Sequence, residues 1–251
     1  MGNGATRMGY REIADELRQE IDSGQLKPGE KVPGENDLMT KYGVEQPTAR
    51  RALDVLKNEG LVIAKRGSGT YVREFRPIRR VSPDRLKTVV WGTGRSIWSA
   101  DLGIRPLAQG TEVTTEPAPS IVAHVLGLEE GTAVIVRRRT FAVEDKPVQI
   151  ATSYYPAYLV EGSAITQANT GEGGSYARLA ELGHKPMRFR EELRTRMPRE
   201  HERQTLDLAQ GTPVVEIVRT AYTNEDLPVE VNLMVLDGAS YVLEYKFSAD
   251  D

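Results

Sequence analysis

The sequence contains no cysteine, only three histidines, and just 6% aromatic residues. Without cysteine there are no disulfides, no thiol nucleophile and no Cys-ligated metal, a composition suited to a reducing cytoplasm. No apolar run approaches the roughly 18 residues of a transmembrane helix. The opening MGNGATRMGYRE lacks an apolar signal-peptide core. A cytoplasmic location without a membrane partner is the expectation. His124, His184 and His201 form no HxxxH or triad-like order, and neither a P-loop nor a G-x-S-x-G is present. His184 follows Gly183 at a predicted helix end and suits a cap better than a base. No enzyme and no cofactor are expected.

What is present is the composition of a globular chain, 39% hydrophobic and 27% charged, long enough at 251 residues for two domains. The net charge of −3 is unevenly spread. Residues 1–80 carry 15 Lys+Arg against 12 Asp+Glu, and the remainder 18 against 24. A mildly basic N-terminal part beside an acidic remainder suits a local DNA-binding surface on a sensor body.

Lys31–Val72 is the most informative stretch. Glu35–Tyr42 and Gln46–Glu59 have helical spacing and meet at Tyr42-Gly43-Val44. Pro47 suits the first turn of the second of these helices, where its missing N–H costs nothing. Ala52, Leu53 and Leu56 share a face, which frees Arg50, Arg51 and Lys57 to point elsewhere. Leu61-Val62-Ile63 and Thr70-Tyr71-Val72 flank Lys65-Arg66-Gly67-Ser68-Gly69, a hairpin with a basic tip. Tyr10–Ser23 is an amphipathic helix ahead of them. Helix, turn, helix and basic wing in this order predict a winged helix-turn-helix.

Residues 73–110 read as a connector, basic over Arg73–Arg80 and broken by Pro77 and Pro83. A solvated linker rarely keeps two tryptophans, so Trp91 and Trp98 predict that part of this segment packs on a domain. Beyond it, strands are predicted over Glu112–Glu116, Ala133–Val143, Val148–Tyr155, Met187–Met197, Val214–Thr223, Val229–Leu236 and Tyr241–Phe247. Helices are predicted over Ser120–Leu126, Ser175–Leu182 and Arg199–Leu208, and a hairpin turn at Glu144-Asp145-Lys146-Pro147. Hairpins joined by helices point to an antiparallel α+β domain.

Taken whole, the chain resembles the GntR family of bacterial transcription regulators, in its HutC branch. VPGENDL, KYGVEQPTARRALDVLKNEGL and RGSGTYV carry the N-terminal resemblance. VAHVLGLEEGTAVIVRRRTF, DKPVQIATSYYP, GGSYARLAELGH, LDLAQGTPVVEIVRTAYT and LPVEVNL resemble the UTRA effector-binding domain, whose fold is similar to chorismate lyase. The resemblance implies an α+β chain of three parts: a winged helix-turn-helix over 1–73, a linker over 74–110, and an effector-binding and dimerisation domain over 111–251.

In this family DNA is met by the starts of the second and third helices and by the wing tip. Here these are Gly34, Glu35 and Asn36; Gln46, Pro47, Thr48 and Arg50; and Arg66, Gly67, Ser68 and Gly69. Arg50 suits phosphate or a guanine edge, and Gln46 suits adenine by donor and acceptor together. Thr48 has a hydroxyl for phosphate and a methyl for thymine. The wing glycines let backbone N–H groups approach phosphate, with Arg66 reaching a minor groove. The family's usual Ser-Glu-Arg is Gly34-Glu35-Asn36 here, and its usual Ser-Arg is Glu45-Gln46, so the operator should differ from the commonest sites.

For the C-terminal domain the resemblance implies a small-molecule pocket. Arg137 and Arg139 share a strand face, with Ser153 and Tyr155 on the paired strand. Ser175 and Tyr176 follow Gly173-Gly174 at a helix N-terminus suited to an anion, and Glu230 and Asn232 share a face of a later strand. These eight are the candidate effector contacts, suited to a carboxylate or phosphate and a hydroxyl. Phe141 stands where many relatives carry the second Arg of an R-x-R pair, which weakens the case for a sugar phosphate. A homodimer on a palindromic double-stranded DNA operator is expected, joined by strand pairing in the C-terminal domain. The implied function is a repressor released by an effector. The alternative is a constitutive repressor, of plasmid-transfer type, whose C-terminal domain only dimerises.

Overall fold

A computed structural model describes residues 8–74, 77–93, 107–143 and 146–249, with backbone alone over 107–109. It divides into two compact units. The first comprises Met1–Arg76 with Leu208–Thr212, and the second Pro77–Asp207 with Pro213–Asp251.

In the first unit, α1 (Tyr10–Asp22), α2 (Glu35–Tyr42) and α3 (Gln46–Asn58) precede an antiparallel hairpin of β1 (Val62–Lys65) and β2 (Gly69–Val72). In α3, Ala49, Ala52, Leu53 and Leu56 recur at helical spacing, and all four are buried. They pack with Ile13, Ala14 and Leu17 of α1, Leu38 of α2, and Val62 and Val72 of the hairpin. Each large aliphatic side chain so buried contributes about 1.5–3 kcal/mol.

Gly43 ends α2 at φ +62°, the left-handed region, and a Cβ built there meets nothing within 4 Å. Its constraint is therefore purely conformational. Gly43→Ala is expected to lower the opening free energy of α2 and α3 by about 1–2 kcal/mol, the cost of a left-handed L-residue. Amide hydrogen exchange reads this directly, and Gly43→Asn should recover part of the loss because Asn tolerates the region better.

The second unit is built on a six-stranded sheet in the order β4-β5-β6-β9-β8-β7, with every neighbouring pair antiparallel. The strands are β4 (Leu107–Pro117), β5 (Ala133–Val143), β6 (Lys146–Pro156), β7 (Arg188–Arg196), β8 (Val214–Tyr222) and β9 (Pro228–Asp237). Alternation sends successive side chains to opposite faces. Val134, Val136, Tyr154 and Val231 pack on one face against the helix Ser120–Leu126. Ile135, Tyr155, Ala221 and Val229 lie in the core with residues of the helices Ala157–Val160 and Gly174–Glu181.

Several boundaries move from their sequence expectations. The first strand of the sheet spans eleven residues rather than the five of Glu112–Glu116. The helix predicted over Arg199–Leu208 runs only from Glu200 to Thr205, and Asp207 just beyond it has φ +47°. The last strand stops at Glu244 as β10 (Tyr241–Glu244). It does not join the main sheet. It pairs in parallel with β3 (Ile78–Val81), a strand inside the predicted connector. Two short helices follow β3, at Ser82–Arg85 and Thr88–Trp91. Trp91 is buried, donates its indole N–H to the Leu86 carbonyl at 3.1 Å, and meets Tyr176 edge-on with ring centroids 5.9 Å apart. Residues 77–91 thus belong to the body of the second unit. Trp98 and the hairpin turn at Glu144-Asp145 lie outside the described residues.

Candidate functional site

Two sites take shape, one in each unit. In the first, the N-termini of α2 and α3 bring three of the predicted DNA-contacting residues together. Glu35 opens α2, and Gln46 and Arg50 stand one turn apart at the start of α3. The Glu35 carboxylate accepts from Gln46 Nε2 at 2.8 Å, from Arg50 Nε at 3.0 Å and from Arg50 Nη2 at 3.2 Å. The hydrogen bonds from Arg50, then from Gln46, hold its carboxyl below the usual carboxylate range. One Nε2 hydrogen of Gln46 is thus engaged by Glu35, and the amide keeps its other Nε2 hydrogen and its oxygen, the donor and acceptor that pairing with adenine needs.

Gln46, Pro47, Arg50 and Asn36 are exposed, and Gly34 and Thr48 are partly so. Gly34 precedes α2, and its N–H donates to Asp37 Oδ2 at 2.9 Å. The wing tip, Arg66, Gly67, Ser68 and Gly69, is exposed throughout. Gly67 at φ +72° and Gly69 at φ +125° shape it, and Ser68 N–H closes the turn on the Lys65 carbonyl at 3.0 Å. The Ser68 and Tyr71 hydroxyls lie 2.5 Å apart, which ties the tip back to β2.

In the second unit, the register aligns a polar row across five strands of the main sheet. Arg137 (β5) faces Ser153 (β6), Ser153 faces Asn232 (β9), Asn232 faces Arg219 (β8), and Arg219 faces Glu191 (β7). The first four are buried, and Glu191 is half-buried with its side chain 8% exposed. The three consecutive arginines divide by strand alternation. Arg138 lies on the opposite face and makes a bidentate pair with Glu116 at 2.8 and 2.9 Å. It holds the Glu116 carboxyl at about 2.

The candidate effector residues fare differently. Arg139 donates to Ser153 Oγ at 2.5 Å and lies over the Phe141 ring at 5.7 Å. Tyr155 and Tyr176 both donate to Glu230, at 2.6 and 2.8 Å. Burial, ahead of nearby charges, pushes both phenols well above their ordinary range, so they remain donors. Ser175 sits one residue into the helix Gly174–Glu181. Arg137 is spent on the fold: it donates to the carbonyls of Ile165 at 2.6 Å, Ala168 at 3.0 Å and Gln167. Burial lowers its pKa.

Residues absent from the sequence reading complete the row. Arg219 is buried over the Tyr176 ring at 5.6 Å, and its Nε and Nη1 have no hydrogen-bond partner among the described residues. Asn232 Oδ1 and Arg139 Nε are likewise unpartnered. Arg219 Nη1 lies 3.8 Å from Glu191. Glu191 also accepts from Arg80 of β3, which is fully buried, and from Ser82 Oγ at 2.5 Å. The row therefore ends in the connector strand. Beside Glu191 opens a cavity of about 520 Å³, lined among others by Ser82, Leu86, Phe189 and Tyr245. None of the eight predicted effector residues lines it. One signal for these residues was in the sequence: Arg219 sits at an inward position of an alternating strand, where a charge demands a partner.

The sequence matches the family of bacterial regulatory proteins called gntR over residues 9–72 and the UTRA domain over residues 101–242. The HTH-type transcriptional regulator SCO4628 of Streptomyces coelicolor is 34% identical over 251 residues, an overlap of 96% of this chain and 93% of the relative. GgaR of Escherichia coli, also an HTH-type transcriptional regulator, is 27% identical over 89% of this chain and 85% of its own. Among solved structures, a GntR-family transcriptional regulator superposes with a TM-score of 0.64 at 26% identity, covering 96% of this chain and 97% of that one. PhnF from Mycobacterium smegmatis shares the fold at 21% identity and a TM-score of 0.57, covering 94% and 99%. A winged helix with an exposed reading edge, a sheet domain with a buried polar row, and these matches lead to one assignment: the chain belongs to the GntR family of transcription regulators, with a DNA-binding helix-turn-helix domain and a UTRA effector-binding domain.

Proposed function

We propose that this regulator is a homodimeric repressor of the HutC branch, released from a palindromic operator by a small polar effector. Residues 1–73 read DNA, residues 111–251 bind the effector and dimerise, and residues 74–110 pass the signal between them. DNA contacts come from Gly34, Asn36, Gln46, Pro47, Thr48, Arg50 and the wing tip at Arg66–Gly69, with Glu35 between them. The effector lies on the inner sheet face, near Arg139, Ser153, Ser175, Glu230 and Asn232, with Arg219 added to the set.

One observation carries the reading. The polar row runs through Asn232, Arg219 and Glu191 to Arg80 and Ser82 of the connector. An anionic ligand drawn to Arg219 competes with Glu191 for that guanidinium. Glu191 then holds Arg80 and Ser82 differently, and the connector shifts. Such a ligand acts only through different affinity for the two connector states.

A second reading keeps the DNA-binding role without an effector. It is favoured by the self-satisfied part of the face, where Arg137 is spent on carbonyls and Glu230 takes two phenols. A thermal-shift screen of carboxylic acids, amino acids and sugar phosphates separates the two. A true effector raises Tm with the logarithm of its concentration above Kd, and the same compound weakens operator binding. If a compound that saturates the protein leaves operator affinity unchanged, release by effector is wrong and the constitutive reading stands.

A further inference from the structure

Glu35 stands in the middle of the DNA-reading edge, yet it is an anion facing a polyanion. Its bonding explains the placement. One carboxylate oxygen takes Gln46 Nε2 and Arg50 Nη2, and the other takes Arg50 Nε. A carboxylate only accepts, so the amide must turn its nitrogen to Glu35, which leaves its oxygen and its second N–H to read. Arg50 is held along its Nε–Nη2 edge. Its Nη1 group and the second Nη2 hydrogen stay available, and this end-on edge is a two-donor fork of the kind that matches guanine O6 and N7.

Gln46 and Arg50 are four residues apart, about 6 Å along α3. Base pairs stack about 3.4 Å apart, so the two side chains reach base pairs within a step or two of each other. Both are exposed, while Glu35 is partly buried behind them.

We propose that Glu35 is a positioning residue for sequence readout, a role beyond DNA binding as such but resting on it. By fixing Gln46 and Arg50 together, it makes them one reading unit. The Gln46 oxygen and the second Nε2 hydrogen are left to take the N6 amino group and N7 of adenine. The free Arg50 edge selects guanine nearby. Glu35 itself touches no base. Its charge is neutralised by Arg50, so sequence-independent binding gains nothing from it.

The test is selection from random duplexes with the full-length wild type and with Glu35→Ala, Glu35→Gln, Gln46→Ala and Arg50→Ala. Affinities for the selected duplex and a scrambled one are then measured at one fixed salt concentration. Glu35→Ala should flatten base preference at the same positions that Gln46→Ala and Arg50→Ala flatten. It should lower the selected-to-scrambled ratio by about tenfold and leave scrambled affinity within about threefold. Its effect should shrink when Gln46 or Arg50 is already alanine. Glu35→Gln, which keeps an acceptor oxygen, should fall between. Three results overturn the proposal: flattening at a separate base pair, equal loss on both duplexes, or an unchanged ratio. If the wild type itself enriches no sequence, DNA reading fails first and this role fails with it, an outcome distinguishable from the other three.

Discussion

Glu191→Ala is expected to destabilise the second unit by about 3–5 kcal/mol, the cost of stripping the partner from a buried charge. Two guanidinium groups are left exposed to that cost. Arg80 is fully buried and Arg219 is 2% exposed, while Glu191 accepts from the first and lies 3.8 Å from the second. Ser82 Oγ loses its acceptor as well. For a unit of this size, such a loss corresponds to a Tm roughly 6–20 °C lower. A scan of the full chain, with Phe189→Leu as a nearby apolar control, checks it. An equal drop in both would show that packing, not charge, sets the effect.

The same group gives a pH signature. Burial pushes the Glu191 carboxyl up, but Arg80, Arg219 and the Ser82 hydroxyl outweigh it and hold it below the ordinary value of 4.5. A carboxyl whose folded pKa is depressed contributes stability that is full above its unfolded value and is lost as pH falls through the folded one. The contribution of Glu191 should therefore persist down to about pH 4.5 and fade below it. Glu191→Gln should lack that component of the acid-side decline in Tm.

Arg50→Ala is the second large effect. A good bidentate base contact is worth about 1–3 kcal/mol of discrimination. A dimer on a palindrome makes the contact twice, so preference for the operator over scrambled DNA should fall by about 2–6 kcal/mol. Lys is a poor rescue, because an ammonium lacks the planar fork that spans both the Glu35 carboxylate and a base. Titrations of wild type, Arg50→Ala and Arg50→Lys on one operator fragment measure this. A preference untouched by Arg50→Ala would remove Arg50 from base reading.

The winged helix was legible because local signals agreed. Ala52, Leu53 and Leu56 recur at helical spacing, Gly43 marks the turn, and Gly67 and Gly69 mark the wing. Alternation in β5 and β6 likewise put Arg137, Arg139, Ser153 and Tyr155 on one face, where the register places them. What stayed hidden depends on pairings distant in sequence. Nothing local tells that Ile78–Val81 lies parallel to Tyr241–Glu244. Glu191 sits in the charged run REELRTR, which reads as a solvated edge until Arg219 and Arg80 are brought to it. Arg137 was legible as inward-facing but not as spent, since its carbonyl partners come from a loop some thirty residues away.

The proposed function requires α3 to lie in the major groove of a two-fold operator. Selection of bound fragments from genomic DNA with the purified full-length chain, followed by titration of the enriched fragment at several salt concentrations, tests it most directly. Enriched fragments should carry inverted half-sites about 10 base pairs apart, or a multiple of that spacing, and binding should weaken linearly on a log–log salt plot. Fragments enriched no more than shuffled controls, or affinity indifferent to salt, would contradict it.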